Sequence, residues 1–302
     1  MRWLLTGELL VYAILSAWLV WQAAWTPLEV ASLALGIFLG LRLLIVSLTF
    51  CLMLADSEAV PEELHISPFG ALRMVLEEYL GFILLFSVIQ PFESFWMGPD
   101  RLSKFAGARP PLLLIHGYQC NRGFWFWMRP RLEAAGWTVA TLSLEPARTE
   151  IDNYAPAVAR RVDELLAVTG APQAILIGHS MGGLVLRAYL RQYGRDKVAR
   201  VISLGSPHNG TRLAPLGIGP NARQMRIGSP WLAALAVPDV APLPPGSVSI
   251  YSCHDNYVFP QCAGSTLEGA TNVAIGGVAH IAMAFSPALL DELLRALASP
   301  AP

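Results

Sequence analysis

Ser180 is the residue of this 302-residue chain best suited to act as a nucleophile, because it sits at the centre of Gly178-His179-Ser180-Met181-Gly182. Alone, glycines two residues either side of a serine arise by chance in roughly one chain in ten of this length. The flanks make the pattern specific. AILI runs directly into it and reads as a buried strand, while GLVLRAYL runs directly out and reads as a helix. A sharp strand-to-helix turn holds a serine in a strained conformation, and the glycines let neighbouring backbones approach. The helix start also presents amide donors and a positive dipole end to developing negative charge.

A serine hydroxyl is a weak nucleophile. It needs a base, and the base needs a carboxylate to orient it. For a serine on such a turn the order along the chain is serine, acid, histidine. Of six histidines, only His208, His254 and His280 follow Ser180. His280 comes just after the strand-like TNVAIGG and before the last helical run, and is the expected base. His254 is its rival, although its neighbour Asp255 suits the acid position better. His208, in SPHNGT, reads as a structural hydrogen-bonding group. For the acid, Asp255 follows the strand-like SVSIYSC; Asp239 and Glu268 are alternatives that follow no convincing strand, and a turn-forming role for Asp255 stays open. Tetrahedral charge must also meet fixed donors. The backbone amide of Met181 is one expected donor, and that of Tyr118, in the loop after PLLLI, is the other.

The elements that must hold these residues are legible from Arg109 onward. Apolar runs of four to eight residues alternate with amphipathic helical stretches, from PLLLIHG to PALLDELLRALA. That alternation predicts an α/β architecture with a parallel sheet buried on both faces. Residues 211–246 are rich in Gly and Pro, lack strand character and are long for a connection, as lids and binding loops often are. Met225, Ile227, Trp231 and Leu232 within them would suit an acyl site, with ordinary core as the competing reading.

The front of the chain has a different composition. The whole sequence is 54% hydrophobic and 14% charged, against roughly 25% charged in soluble domains, and the excess lies in the first hundred residues. Residues 4–25 and 28–54 are each long enough for a spanning helix, which needs ~20 apolar residues. A cleaved leader is the competing reading of the first run. Against it stand the run's length, bulky Trp18, Trp21 and Trp25 where small residues should precede cleavage, and a second apolar run directly behind. Thr26 and Pro27 leave room only for a tight turn, which predicts an antiparallel hairpin. Glu8 and Arg42 would then lie ~22–27 Å from that turn, at similar depth, either paired or each reaching a headgroup layer separately. Residues 55–68 read as a polar linker. Residues 71–97 form a third apolar segment, short for a span, that would lie in the interface, re-enter or cross; charge bias leaves the side of the remaining domain open.

A net charge of −1 with no basic run gives nucleic acid no electrostatic hold. Cys51, Cys120, Cys253 and Cys262 make no metal-ligand pattern. Cys253 and Cys262 bracket a short loop and would be either a disulfide or two thiols. No cofactor and no metal is expected.

From about Arg109 to Ala298 the sequence resembles the bacterial lipase and esterase branch of the α/β-hydrolases, and is most similar to the small secreted lipases of Bacillus. The segments that carry the resemblance are LLLIHGYQCN, GHSMGGLVLR, LGSPHNGT, SVSIYSCHDNYVFP and VAIGGVAHIAMAFSP. It implies an α/β-hydrolase fold with a mostly parallel central sheet, Ser180 as nucleophile, Asp255 and His280 as partners, and Tyr118 and Met181 as amide donors. Larger relatives bind calcium through an acidic residue shortly after the histidine; here Ile281, Ala282 and Met283 follow, and that ion is not expected. The first hundred residues have no counterpart in the secreted enzymes. The expected organisation is a transmembrane hairpin (1–54), a linker with a third apolar helix (55–105) and a catalytic domain (106–302). The expected location is multi-pass in a bacterial inner membrane. The expected activity is two-step hydrolysis of an apolar or lipid ester. Acyl transfer to an alcohol would use the same residues. A non-catalytic membrane scaffold is the reading from another class, against which the three filled triad positions speak.

Overall fold

The computed structural model describes residues 2–22, 25–56, 58–105, 109–237 and 241–299; Asp239, one of the alternative acids, lies outside them. Six apolar runs form strands β1 (Leu112–Ile115), β2 (Val139–Leu142), β3 (Ala174–His179), β4 (Val198–Leu204), β5 (Val248–Ser252) and β6 (Thr271–Ile275). All pair in parallel, in the order β2-β1-β3-β4-β5-β6. Successive side chains alternate between faces: Leu112 and Leu114 enter one apolar core, Leu113 and Ile115 the other. Burial on both sides is why β1 and β3 read as apolar runs, whereas the edge strand β6 is only partly covered. The chain leaves β1 for β2 on one side and continues with β3 on the other. That reversal opens a crevice beyond the carboxyl ends of β1 and β3, the usual ligand position in such sheets.

The N-terminal hairpin consists of α1 (Arg2–Gln22) and α2 (Pro27–Leu54). Thr26 caps α2 reciprocally: its hydroxyl accepts from the Glu29 amide at 3.3 Å, and the Glu29 carboxylate accepts from the Thr26 amide at 2.8 Å. Pro27 at the first helical position loses no hydrogen bond there. Glu8 and Arg42 are paired, with both carboxylate oxygens 2.6 Å from guanidinium nitrogens, and Tyr12 donates to the same carboxylate at 2.7 Å. Removing one partner leaves the other's charge uncompensated. Glu8→Gln and Arg42→Leu are therefore each expected to lower stability in detergent unfolding, and the double variant less than their sum. Strict additivity would show that the pair contributes nothing.

No residue of Leu5–Gln22 is buried, and α1 and α2 are long and apolar enough to cross a bilayer. The last turns of α2 differ. Val46, Phe50 and Met53 pack with Met74 of α3 (Pro68–Ile83) and with Phe259, Ala279 and Ala282. Residues 55–68, linker-like by composition, are tethered: Asp56 pairs with Arg212, and the Glu58 carboxylate accepts from the Cys262 and Ala263 amides. After α3 the chain passes through a π-helical turn (Leu84–Ile89) into α4 (Glu93–Met97). Leu85 and Ile89 are fully buried in the sheet's core, while Leu72, Leu76, Leu80 and Leu84 form an exposed stripe at four-residue spacing.

Helices cover both sheet faces. On one lie α5 (Met128–Ala134) and, at the end of the chain, Pro287–Ala298; on the other lie α6 (Ala155–Thr169) and α7 (Met181–Tyr193). Residues 211–246 contain, among those described, a 3-10 turn and the short helices α8 (Pro220–Gln224) and α9 (Pro230–Leu235). All four cysteines are free thiols, and Tyr251 donates to Cys262 Sγ at 3.4 Å.

Candidate active site

Ser180 stands between β3 and α7 with φ 55° and ψ −126°. A non-glycine residue held there stores about 1–3 kcal/mol of strain, so the surrounding packing must enforce it. Gly182 is part of that packing: a Cβ there would lie 2.5 Å from the Ile115 carbonyl oxygen. Gly117 is another, since its Cβ would meet that of Ser180 at 2.8 Å. The loop after β1 can approach the serine this closely only with glycine in place.

His280 reaches Ser180 from the loop after β6, with Nε2 3.0 Å from Oγ. Its Nδ1 lies 2.7 Å from Oδ2 of Asp255, which follows β5. An ionised carboxylate only accepts, so the ring proton belongs on Nδ1 and Nε2 is left to accept from the serine. Asp255 is itself fixed: its Oδ1 accepts from the Tyr257 and Val258 amides, both at 2.8 Å. Tyr257 stacks on the His280 ring at 5.0 Å between centroids, and His179 packs against it at 4.7 Å. Burial holds His179 well below the usual histidine range, so it brings no positive charge beside His280.

Met181 opens α7 directly after Ser180. On the opposite side, the peptide joining Gly117 to Tyr118 is clamped by His116. The Leu144 amide donates to His116 Nε2 at 2.9 Å, which puts the ring proton on Nδ1, and Nδ1 donates to the Gly117 carbonyl at 2.9 Å. A trans peptide points its C=O and N–H in opposite directions. Fixing the Gly117 oxygen therefore fixes the direction of the Tyr118 N–H. Burial depresses the His116 pKa to about 4, so the clamp keeps one tautomer through neutral pH. The Tyr118 hydroxyl donates to the Ile218 carbonyl at 2.6 Å and accepts from its amide at 2.8 Å, joining this loop to the 211–246 segment.

The other candidates lie elsewhere. His254 accepts from the Gly277 amide at 3.1 Å, His208 Nε2 faces Ser203 Oγ at 2.8 Å, and Glu268 is exposed. Ser180 and His280 open into a cavity of about 520 Å³, within the roughly 300–1,000 Å³ usual for ligand sites. Met225 lines it, whereas Leu232 is core and Trp231 packs against that core while donating to Asp152.

The family described as the alpha/beta hydrolase fold matches residues 110–244, a stretch that contains Ser180 and ends before Asp255 and His280. The structure is similar to that of Bacillus licheniformis lipase BlEst2 in mature form, with a TM-score of 0.57 and 18% identity, covering 66% of this chain and 96% of that one. The chain has the α/β-hydrolase fold. In sequence it resembles the triacylglycerol lipase of Pseudarthrobacter phenanthrenivorans, with 30% identity over 118 residues, 36% of this chain and 37% of that protein. It also resembles the triacylglycerol lipase of Vibrio cholerae, with 30% identity over 159 residues, 48% of this chain and 51% of that protein. The chain thus spans about a third to a half of the length of these curated relatives.

Two further groups that reach the histidine loop carry no signal in the sequence, and both come from the first hundred residues. The carboxylate of Glu78 on α3, fully buried, accepts from the Ile281 amide at 3.2 Å and the Ala282 amide at 2.8 Å. Thr49 on α2 accepts from Asn256 Nδ2 at 2.8 Å, and Asn256 Oδ1 accepts from the His280 amide at 3.0 Å. The backbone of residues 280–282 is thereby held from two helices that precede the sheet.

Proposed function

We propose that this chain is a serine carboxylic-ester hydrolase of the lipase and esterase kind, acting on apolar or lipid esters. The observation that carries the reading is the continuous relay from Ser180 Oγ through His280 to Asp255, at 3.0 and 2.7 Å. In the first step the Ser180 oxygen adds to the ester carbonyl as its proton passes to His280 Nε2. The Met181 and Tyr118 amides face the resulting oxyanion. Collapse expels the alcohol, which takes the proton from His280, and an acyl-Ser180 ester remains. Water then repeats the sequence and releases the carboxylic acid. The likeness to proteins named triacylglycerol lipases supports an ester substrate. A fluorophosphonate probe is expected to label Ser180 alone, as read by peptide mass spectrometry. A folded protein left unlabelled at that residue would overturn the mechanism.

The same reading takes α1 and α2 as a membrane-crossing hairpin. It is supported by their length, their exposed apolar surface and the pairing of the two charges they carry. Alkaline carbonate is expected to leave the full chain in the membrane pellet.

A further inference from the structure

Part of the cavity wall comes from the segments that precede the sheet. Ile45, Leu48 and Leu52 of α2 line it, with Phe82 and Phe86 from α3 and the π-helical turn that follows. Leu213, Leu216 and Ile218, ahead of α8, line it as well. Four of these residues are also open to the outside: Ile45 is 37% exposed, Leu48 50%, Leu216 64% and Ile218 62%. Side chains that border a cavity and are exposed at once mark its mouth. A mouth rimmed by large aliphatic groups from two separate segments is unfavourable in water, by about 25 cal/mol per Å² of apolar surface. It suits lipid.

The depth agrees. Ile45 and Leu48 lie 18 and 21 residues beyond Pro27, hence ~27 and ~32 Å along α2 from the hairpin turn. A hydrocarbon core is about 30 Å thick. With the turn at one boundary, the mouth lies at the other. From that level on the helix changes character, as Val46, Phe50 and Met53 pack into the protein.

Resting on the hydrolase reading above, we infer that the substrate is a long-chain acyl ester resident in the bilayer, which enters sideways between α2 and residues 213–218. Ile45, Leu48 and Leu52 form the wall against which its acyl chain lies. The ester group then sits at headgroup level, where Ser180 and a hydrolytic water both reach it, while the chain never leaves an apolar environment.

The test uses the full chain in phosphatidylcholine vesicles with two p-nitrophenyl esters, butyrate and palmitate. Leu48→Trp fills the mouth and is expected to lower the palmitate-to-butyrate ratio of kcat/KM at least tenfold. Leu216→Trp, at the mouth but in the other segment, is expected to do the same and guards against misfolding of the first variant. Leu43→Trp, on the exposed side of α2 turned away from the cavity, is expected to leave the ratio unaltered. In the wild type, diluting palmitate ester with ether-linked phospholipid at constant bulk concentration is expected to slow turnover in proportion to its mole fraction. A ratio unmoved by both rim variants, or a rate that follows bulk concentration, would overturn sideways entry while leaving the hydrolase reading intact. A wild type that cleaves neither ester and takes no fluorophosphonate would instead sink the hydrolase reading.

Discussion

Asp255→Asn is expected to lower kcat/KM for p-nitrophenyl butyrate by about 10⁴-fold with the fold retained. The reason lies in the two amides that face Oδ1. Tyr257 and Val258 both donate to it, and only the carbonyl oxygen of an asparagine can accept from them. The asparagine NH₂ must then point at His280 Nδ1, where Oδ2 now lies. That nitrogen becomes an acceptor, its proton moves to Nε2, and the ring presents a donor to Ser180 instead of an acceptor. Ser180→Ala is expected to abolish turnover to a similar or greater extent, and Ser180→Ala with Asp255→Asn to cost no more than Ser180→Ala alone, because the groups act as a unit. Near-ultraviolet circular dichroism checks that the fold persists. A loss of less than tenfold in a folded Asp255→Asn protein would remove Asp255 from the relay.

The second large effect concerns Glu78, and it is one of stability. Glu78→Ala leaves the buried Ile281 and Ala282 amides without their acceptor. At about 1–3 kcal/mol for each orphaned donor, the loss is roughly 2–6 kcal/mol in denaturant unfolding. Turnover should fall as well, since these amides directly follow His280. Glu78→Gln keeps an acceptor for one amide and should cost less. The pH dependence is distinctive. Burial pushes the Glu78 carboxyl up to about 7 from its ordinary 4.5, against the opposing pull of the Ala282 and Ile281 amides and the Asn256 side chain. Between those values the folded chain holds a proton that the unfolded chain has lost. The unfolded state then binds fewer protons, and stability falls with rising pH. The contribution is fully present below 4.5, is lost as pH rises through 7, and is flat above that. Glu78→Gln has no such proton. The stability difference between wild type and this variant should therefore shift between pH 5 and pH 8, to the detriment of the wild type at pH 8. A difference independent of pH would show that Glu78 titrates normally.

The parts of the site that were legible in sequence all lie at the carboxyl ends of strands. Ser180 announced itself through a strand before it and a helix after it. Asp255 and His280 followed from their order and from the strand-like runs ahead of them, and the structure brings all three within hydrogen-bonding reach. Glu78 was not legible, because its partners are backbone amides 203 and 204 residues away. Backbone donors leave no residue-type signature, so the adjacent Glu77 and Glu78 look alike in sequence, although one is exposed and the other buried in protein. The 71–97 segment was ambiguous for a related reason. Its two faces are both apolar, yet Leu85 and Ile89 enter the core while Leu72 and Leu76 stay outside, and periodicity alone cannot tell protein from lipid. His116 was read only as part of a loop; its role rests on the Leu144 amide, which nothing in the local sequence marks.

The attachment of Thr49 to Asn256, and of Glu78 to the Ile281 and Ala282 amides, bears on how the protein is handled. A fragment starting near residue 106 would keep Ser180, Asp255 and His280, but it would expose Phe259, Ala279 and Ala282 to water and strip the Asn256 side chain and the Ile281 and Ala282 amides of their acceptors. Trimming the first hundred residues to ease purification therefore removes scaffolding from beneath the histidine, and the full chain is the unit to work with.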